Sequence, residues 1–250
     1  MKKAHTYGAY SGYQGSNVDD ASLHQTHQSL YARAPQSKYG RQRSPVPSNL
    51  PIDKPSDFIY EHDFDENGAL YFLGSQGKRR IWENPHKIAQ VVAFASSVGA
   101  GSVEDFVGRA TVNCRTHNEP FSFFGVDLGQ GRTFLPTHYS IRNRTFSNCV
   151  MFQWHFEGSN DKVNWALLDR RIYSSSIPEE NEKYEEVQQQ LVQKGATSTW
   201  AIDTDCYKEL GFDGFRYFRI IQVGKNSSDS DNLALSGFEI YGRVGKGRWP

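Results

Sequence analysis

The feature that most constrains the fold is a series of short apolar or alternating segments after Phe58, separated by Gly, Pro, Asn and Asp. Segments of this kind, bounded by turn residues, are typical of β-strands. In 216–222 the side chains of Tyr217 and Arg219 point to one side and that of Phe218 to the other. The pattern predicts an all-β sandwich or barrel. The candidate strands are Ala69–Leu73, Val91–Ala95, Phe123–Leu128, His138–Arg142, Met151–Glu157, Trp165–Leu168, Arg216–Gln222 and Leu235–Tyr241.

Residues 1–57, here called the tail, have a different composition. They contain few aliphatic residues and no sustained period, and a basic, proline-rich stretch closes them at 41–51. Because such a segment cannot bury enough apolar surface to offset its ordering entropy, we expect it to be disordered on its own. It is either a spacer or a segment that orders on a partner. The residues that would then dock are its tyrosines, Tyr7, Tyr10, Tyr13, Tyr31 and Tyr39.

One stretch inside the β-rich region predicts a helix, at about 179–194. It has acidic residues in its first turn, Lys194 in its last turn and Gly195 behind it, each favourable at that end of a helix. Val187 and Leu191 fall on one narrow apolar side. This insertion either rests on the sandwich, which we favour, or docks a partner.

Charge and cysteine content exclude several classes of partner. The chain has 28 basic and 28 acidic residues, so it has no overall electrostatic reason to bind nucleic acid or anionic lipid. Three cysteines without paired spacing indicate neither a disulfide framework nor a zinc site. No apolar stretch has the length of a membrane span or the form of a secretory signal. We therefore expect an intracellular, cytoplasmic protein.

Catalytic and metal-binding motifs are not found in the sequence. The eight histidines have no recognised ligand spacing, and no nucleophile elbow or phosphate-binding loop occurs. Residues 63–68 match half of a calcium loop, but Gly74 stands where a glutamate is needed, so a turn explains them better. Cys114 lies near His117, yet a cysteine on an apolar strand is usually buried. We expect no enzyme, no cofactor and no metal.

Six motifs in fixed order resemble the discoidin, or F5/8 type C, domain: Cys114–Pro120, Ser122–Gly129, Pro136–Arg142, Phe156–Asp161 with Trp165, Phe215–Ile220 and Leu235–Gly242. They look most like its intracellular branch, found beside BTB and HECT ubiquitin-ligase modules. The resemblance covers roughly 64–243. It implies a galactose-binding-like jelly roll whose ligands meet the loops at one end. The chain has no BTB, HECT or RING sequence, so ligase activity does not carry over.

Composition, which sets the tail apart, and the resemblance, which covers the sandwich, together divide the chain. We expect a tail at 1–57, a discoidin-like sandwich at 58–244 and a short C-terminal tail at 245–250. Three polar loops follow or precede strands of the sandwich and can converge at one end. Two of the three are cationic, which suits an acidic protein surface. The candidate partner-binding residues in them are Arg115, His117, Asn118, Arg142, Arg144, Lys225 and Asn226.

These observations favour a non-catalytic protein-binding or scaffold component. Its loops and tail would dock into a larger intracellular assembly, for which a cytoskeletal or ciliary microtubule lattice is one possibility. Two alternatives stay open. The domain could be a lectin-like module that binds a carbohydrate or lipid headgroup, or it could recruit substrates for a ubiquitin ligase carried by another chain.

Overall fold

The computed structural model describes residues 57–146, 148–173, 191, 193–205, 213–247 and 249. Within them the chain forms nine strands, one short α-helix and one 3₁₀ helix at Val103–Val107. The helix α1 is Ala69–Gly74. The strands are β1 (Asp57–Phe58), β2 (Val92–Ala95), β3 (Phe123–Asp127), β4 (Arg132–Asn143), β5 (Gln153–Ser159), β6 (Trp165–Ile172), β7 (Thr197–Ala201), β8 (Tyr217–Gln222) and β9 (Leu235–Gly247).

The strands form two antiparallel sheets. The four-stranded sheet has the order β1-β9-β4-β7, and the five-stranded sheet has the order β2-β3-β8-β5-β6. Neighbours in each sheet are mostly distant in sequence, as in a jelly roll, where crossovers carry the chain between sheets. The predicted all-β sandwich is confirmed.

Aromatic side chains fill the space between the sheets. Phe106 of the 3₁₀ helix stacks on Phe124 of β3, with 5.4 Å between ring centroids, and on Phe238 of β9 at 4.9 Å. Phe218 and Ile220 of β8 also face inward and are fully buried, as their alternation predicts. Large rings of this kind contribute most of the apolar area that a sandwich core buries.

One polar chain runs through this apolar core. The indole Nε1 of Trp154 donates to the hydroxyl of Tyr139 at 2.8 Å, and that hydroxyl donates to Asp169 Oδ2 at 2.7 Å. Arg171 binds the same carboxylate at 2.7 Å. Trp154 thus lies in the core, whereas Trp165 is half-buried and pairs with Ser159 on the opposite face of the sheet.

The predicted strand at Ala69–Leu73 is wrong, because these residues form helix α1. The segment lacks alternation, and a distant residue supplies the helix cap. The carboxylate of Glu239 on β9 accepts the backbone N–H of Leu70 at 2.7 Å and of Tyr71 at 2.9 Å. These are amides that the first turn of a helix leaves without an internal partner.

The predicted insertion at 179–194 lies mainly outside the described residues. Leu191 is described and is buried in the core, and its carbonyl accepts a hydrogen bond from Asn143 Nδ2 at 2.5 Å. Gly195 follows with φ of +64°, a left-handed conformation typical of the residue after a helix. At Leu191, then, the apolar side of the segment packs inward.

Candidate protein-interaction surface

Three loops meet at one end of the sandwich. In the strand register Asn143 pairs with Leu235, Phe123 with Ile221, and Trp154 with Gln222, so the loops beyond these pairs leave the two sheets on the same side. We call residues 113–122, 144–146, 148–152 and 223–234 the loop end. All three polar loops chosen from the sequence lie in it or adjoin it.

The first and third loops are fastened to each other by hydrogen bonds. Thr116 N donates to the carbonyl of Leu233, and Leu233 N donates to Thr116 Oγ1, both at 2.9 Å. Farther out, Asn118 Oδ1 accepts Asp231 N at 2.8 Å and Ser230 Oγ at 3.1 Å. Asn118 thus holds two loops together.

The second loop joins the third through backbone groups. Ser227 N donates to the carbonyl of Val150, and Val150 N donates to Ser227 Oγ, both at 2.9 Å. Cys149 N donates to Ser228 Oγ at 3.3 Å. Because each loop is bonded to a neighbour from another part of the chain, the loop end is a preorganised surface that loses little conformational entropy on binding.

Asn226 is the buried centre of the third loop. Its Nδ2 donates to the backbone carbonyl and the Oδ1 of Asn232, each at 2.8 Å. Its Oδ1 accepts the backbone N–H of Ser228 at 2.9 Å and of Ser230 at 3.2 Å. With donors and acceptors all engaged inside the loop, Asn226 shapes the surface and presents no group to a partner.

Two arginines chosen from the sequence are also buried. The Arg142 guanidinium lies 4.2 Å from the centroid of the Phe64 ring, and Arg142 donates to the backbone carbonyl of Arg109. The Arg144 guanidinium donates to Asn148 Oδ1 at 2.7 Å and to Cys149 Sγ at 3.2 Å. Both cations therefore act inside the domain.

The remaining candidates lie at the surface. His117 is exposed and Arg115 is half-buried, with its Nη1 donating to the carbonyl of Thr116 at 3.3 Å. Lys225 is exposed and forms an ion pair with Asp231. The five tail tyrosines lie outside the described residues. Binding by any of these residues stays a prediction.

Sequence reasoning missed two aromatic residues of the loop end. Phe121 is 43% exposed and Phe146 is 49% exposed. Phe121 also has a φ of +59°, in the left-handed region that non-glycine residues rarely adopt. Its loop is held in shape by Ser122 Oγ, which donates to the carbonyl of Glu119 at 2.8 Å. Backbone strain of this kind clusters at functional sites.

The formal charges of the loop end cancel. It contains three cations and three anions, with His117 neutral. The cationic surface that the sequence suggested is therefore balanced within the same loops. These charged residues are Arg115, Arg144, Lys225, Glu119, Asp229 and Asp231.

Catalytic and metal-binding groups were also sought in the described part of the chain. It contains no group of three or more His, Cys, Asp or Glu side chains that could hold a metal ion. Burial raises the pKa of Cys114 to about 12, so this thiol is protonated at neutral pH. In the half calcium loop, Asp65 accepts the backbone N–H of Asn67 at 2.8 Å and of Glu61 at 2.9 Å, as in an ordinary turn. None of the helices described is long and apolar enough to cross a membrane.

The two-sheet jelly roll and the motifs placed on it define a discoidin-like, galactose-binding-like domain, as the sequence resemblance predicts. No family model matches the chain. The chain is 33% identical over 195 residues to the E3 ubiquitin-protein ligase Ufd4 of Drosophila melanogaster, a match that covers 75% of it. It is 34% identical over 189 residues, or 73% of its length, to the E3 ubiquitin-protein ligase hecd-1 of Caenorhabditis elegans. It spans only 6% of the length of either relative.

The solved structures that match include the CBM32-3 domain of a family 31 glycoside hydrolase from Clostridium perfringens. The match covers 62% of this chain and 92% of that domain, with 13% sequence identity and a TM-score of 0.45.

Proposed function

We propose that the protein is a non-catalytic protein-recognition component of a larger intracellular assembly and that the loop end is its recognition surface. One observation carries the proposal. Three loops from distant parts of the chain are bonded into one surface, and that surface exposes Phe121 and Phe146. Exposed rings on a preorganised surface are the usual anchors of protein interfaces.

The balance of charge supports a protein partner over a polyanion. A surface with three cations and three anions has no field to steer nucleic acid or anionic lipid. On such a surface, affinity comes from anchor side chains that lose their water on binding and from a complementary shape. The charges then determine how the partner is oriented. The loop end also carries the exposed His117 and Lys225 and the half-buried Arg115, which we propose form the polar rim.

The sequence relatives favour one specific kind of partner. Both relatives named above are ubiquitin ligases, and this chain corresponds to a small part of each. We therefore keep a second form of the proposed function, in which the domain recruits substrates to a ubiquitin ligase that is carried by another chain. A stable scaffold role, including a place in a cytoskeletal or ciliary lattice, is the first form. The tail tyrosines would supply the second contact that a scaffold needs.

The test is a comparison of full-length proteins in pull-downs from native extract. The double variant Phe121→Ser/Phe146→Ser removes both anchors, and Ile81→Ser is the matched control because Ile81 is a 93% exposed apolar residue outside the loop end. We expect the double variant to lose a defined set of proteins that the control keeps. Equal retention by both variants would refute the loop end as the recognition surface.

The identity of the retained proteins separates the two forms. Ubiquitylation enzymes in the set that the double variant loses would favour substrate recruitment, whereas structural proteins alone would favour a scaffold. If only glycans or lipids on an array bind, and binding survives loss of both rings, the lectin-like alternative replaces the proposal.

A further inference from the structure

The turn that follows α1 has a strained backbone. Gln76, Gly77 and Lys78 have φ values of +49°, +77° and +60°, so three consecutive residues lie in the left-handed region. Residues other than glycine rarely adopt this region, and they do so singly rather than in runs. We call residues 75–81 the basic turn, because Lys78 is followed in it by two arginines.

Ser75 holds the basic turn in this shape and is itself buried. Its backbone carbonyl accepts Arg79 N at 3.1 Å and Arg80 N at 3.0 Å. Its Oγ accepts Lys78 N at 3.0 Å. Backbone strain persists only where the surrounding contacts over-determine it, and it clusters at functional sites. The basic turn is therefore a preorganised element of the surface.

The cations of the basic turn are not needed to cap α1. Cationic side chains near the end of a helix often serve its last carbonyls. Here backbone groups do so, since Gly77 N donates to the carbonyl of Phe72 at 2.8 Å. Glu83 N likewise donates to the carbonyl of Gly74 at 3.1 Å. Capping thus leaves the three cations unexplained.

The side chains that the basic turn presents are all in solvent. Lys78, Arg79 and Arg80 are exposed. Ile81 beside them is 93% exposed, the largest exposed fraction among the large apolar side chains described. A single exposed apolar residue is common on protein surfaces. This one stands next to three cations on a strained and fixed backbone, which is a combination that a binding surface uses.

The charge around the basic turn is locally unbalanced. Residues 75–87 contain four cations and one anion, with histidine neutral, although the whole chain has 28 of each. Within the described residues neither Lys78 nor Arg80 forms an ion pair, unlike Lys225 of the loop end. Lys78 Nζ donates instead to the neutral Asn67 Oδ1, at 3.1 Å. Charge complementarity therefore favours an acidic partner.

The isoleucine decides between two classes of acidic partner. Surfaces that bind nucleic acid are more polar and much more positively charged than those that bind proteins. The basic turn has only three cations, and a phosphate backbone offers no apolar group to cover Ile81. An acidic protein segment supplies both carboxylates for Lys78 and Arg80 and an apolar side chain for Ile81.

We propose that the basic turn docks an acidic protein segment that carries an apolar side chain. Lys78 and Arg80 contact the carboxylates of that segment, and Ile81 packs against its apolar side chain. The basic turn shares no residue with the loop end, and this inference does not depend on the loop end. The domain then has two recognition surfaces, one balanced in charge and one basic.

The first test measures peptide binding to the full-length protein by fluorescence anisotropy. The probe is a fluorescein-labelled peptide of glutamates around one central leucine, here called the leucine peptide. We expect Lys78→Glu/Arg80→Glu to raise its Kd by about tenfold or more, because like charges then face each other. The neutral variant Lys78→Gln/Arg80→Gln should fall between that variant and the wild type.

The matched control is Arg170→Glu/Arg243→Glu, which makes the same change in net charge at two other exposed positions. We expect the control to change the Kd by less than about twofold. Three results would overturn the proposal. They are a wild-type Kd above about 1 mM, an equal loss of affinity in the control, and a single-stranded oligonucleotide that binds the basic turn more tightly than the leucine peptide.

The second test concerns Ile81 and uses a peptide with serine in place of the leucine. We expect Ile81→Ser to weaken the leucine peptide by about threefold and to leave the serine peptide unchanged. Equal effects on the two peptides would overturn the apolar contact. The Phe121→Ser/Phe146→Ser variant should bind the leucine peptide as the wild type does, and Ile81→Ser should keep the proteins that the loop end retains. Failure of the basic turn and failure of the loop end are therefore distinguishable.

Discussion

The buried polar chain of Trp154, Tyr139 and Asp169 makes a quantitative prediction about stability. Changing Tyr139 to Phe removes one hydroxyl that accepts from Trp154 at 2.8 Å and donates to Asp169 at 2.7 Å. Burial, with the Asp169 charge beside it, raises the pKa of Tyr139 well above its usual value, so the hydroxyl remains a donor at any working pH.

The magnitude follows from what each partner loses. Trp154 is fully buried, and a buried donor left without its acceptor costs about 1–3 kcal/mol. Loss of a hydrogen bond to a charged acceptor costs about 1.5–3 kcal/mol, although Asp169 keeps its bond to Arg171. Allowing for partial compensation, we expect Tyr139→Phe to reduce the free energy of unfolding by about 3 kcal/mol.

Urea unfolding followed by circular dichroism measures this change. With an m-value of about 2 kcal/mol/M, the midpoint should fall by roughly 1.5 M. The matched control is Tyr60→Phe, since Tyr60 is half-exposed and its hydroxyl donates to Asp63 at 3.1 Å near the surface. The control should change the free energy by less than about 0.5 kcal/mol. A Tyr139→Phe effect below about 1 kcal/mol would refute the claim that this chain stabilises the core.

Two further substitutions test one buried position in each sheet. Gly125→Ala places a Cβ 2.5 Å from the Phe94 ring and 2.8 Å from the carbonyl oxygen of Phe218. We therefore expect the free energy of unfolding in urea to fall by about 1–3 kcal/mol. An unchanged value would show that Phe94 moves freely to make room. Burial raises the pKa of Glu239 to about 7, above the value of about 4.3 in an unfolded chain. The native state therefore holds this proton more tightly, and the resulting stability is fully present below about pH 4.3 and lost as pH rises through about 7. From pH 4 to 8 we expect the free energy of unfolding of the wild type, relative to that of Glu239→Gln, to fall by roughly 3 kcal/mol in total. An equal pH dependence of the two proteins would contradict the raised pKa of Glu239.

Local alternation was sufficient to predict most strands, and its failures have identifiable causes. Strand β8 was predicted because Phe218 and Ile220 alternate with polar or outward-facing neighbours. Strand β7 was missed because it consists mainly of Thr and Ser and contains a single large apolar residue, Trp200. The helix α1 was mistaken for a strand because its cap, Glu239, lies 169 positions from Leu70. No local pattern contains a contact made over that distance.

The loop end was predictable in position but not in composition. Strand order and the jelly-roll resemblance were enough to bring the three loops together. Whether an arginine near the end of a strand faces water depends on which rings lie beside it. The ring beside Arg142 belongs to Phe64, which stands 78 positions earlier in the sequence, so no local pattern indicates the contact. Phe121 was not singled out from the sequence, because neither its exposure nor its positive φ leaves a trace there.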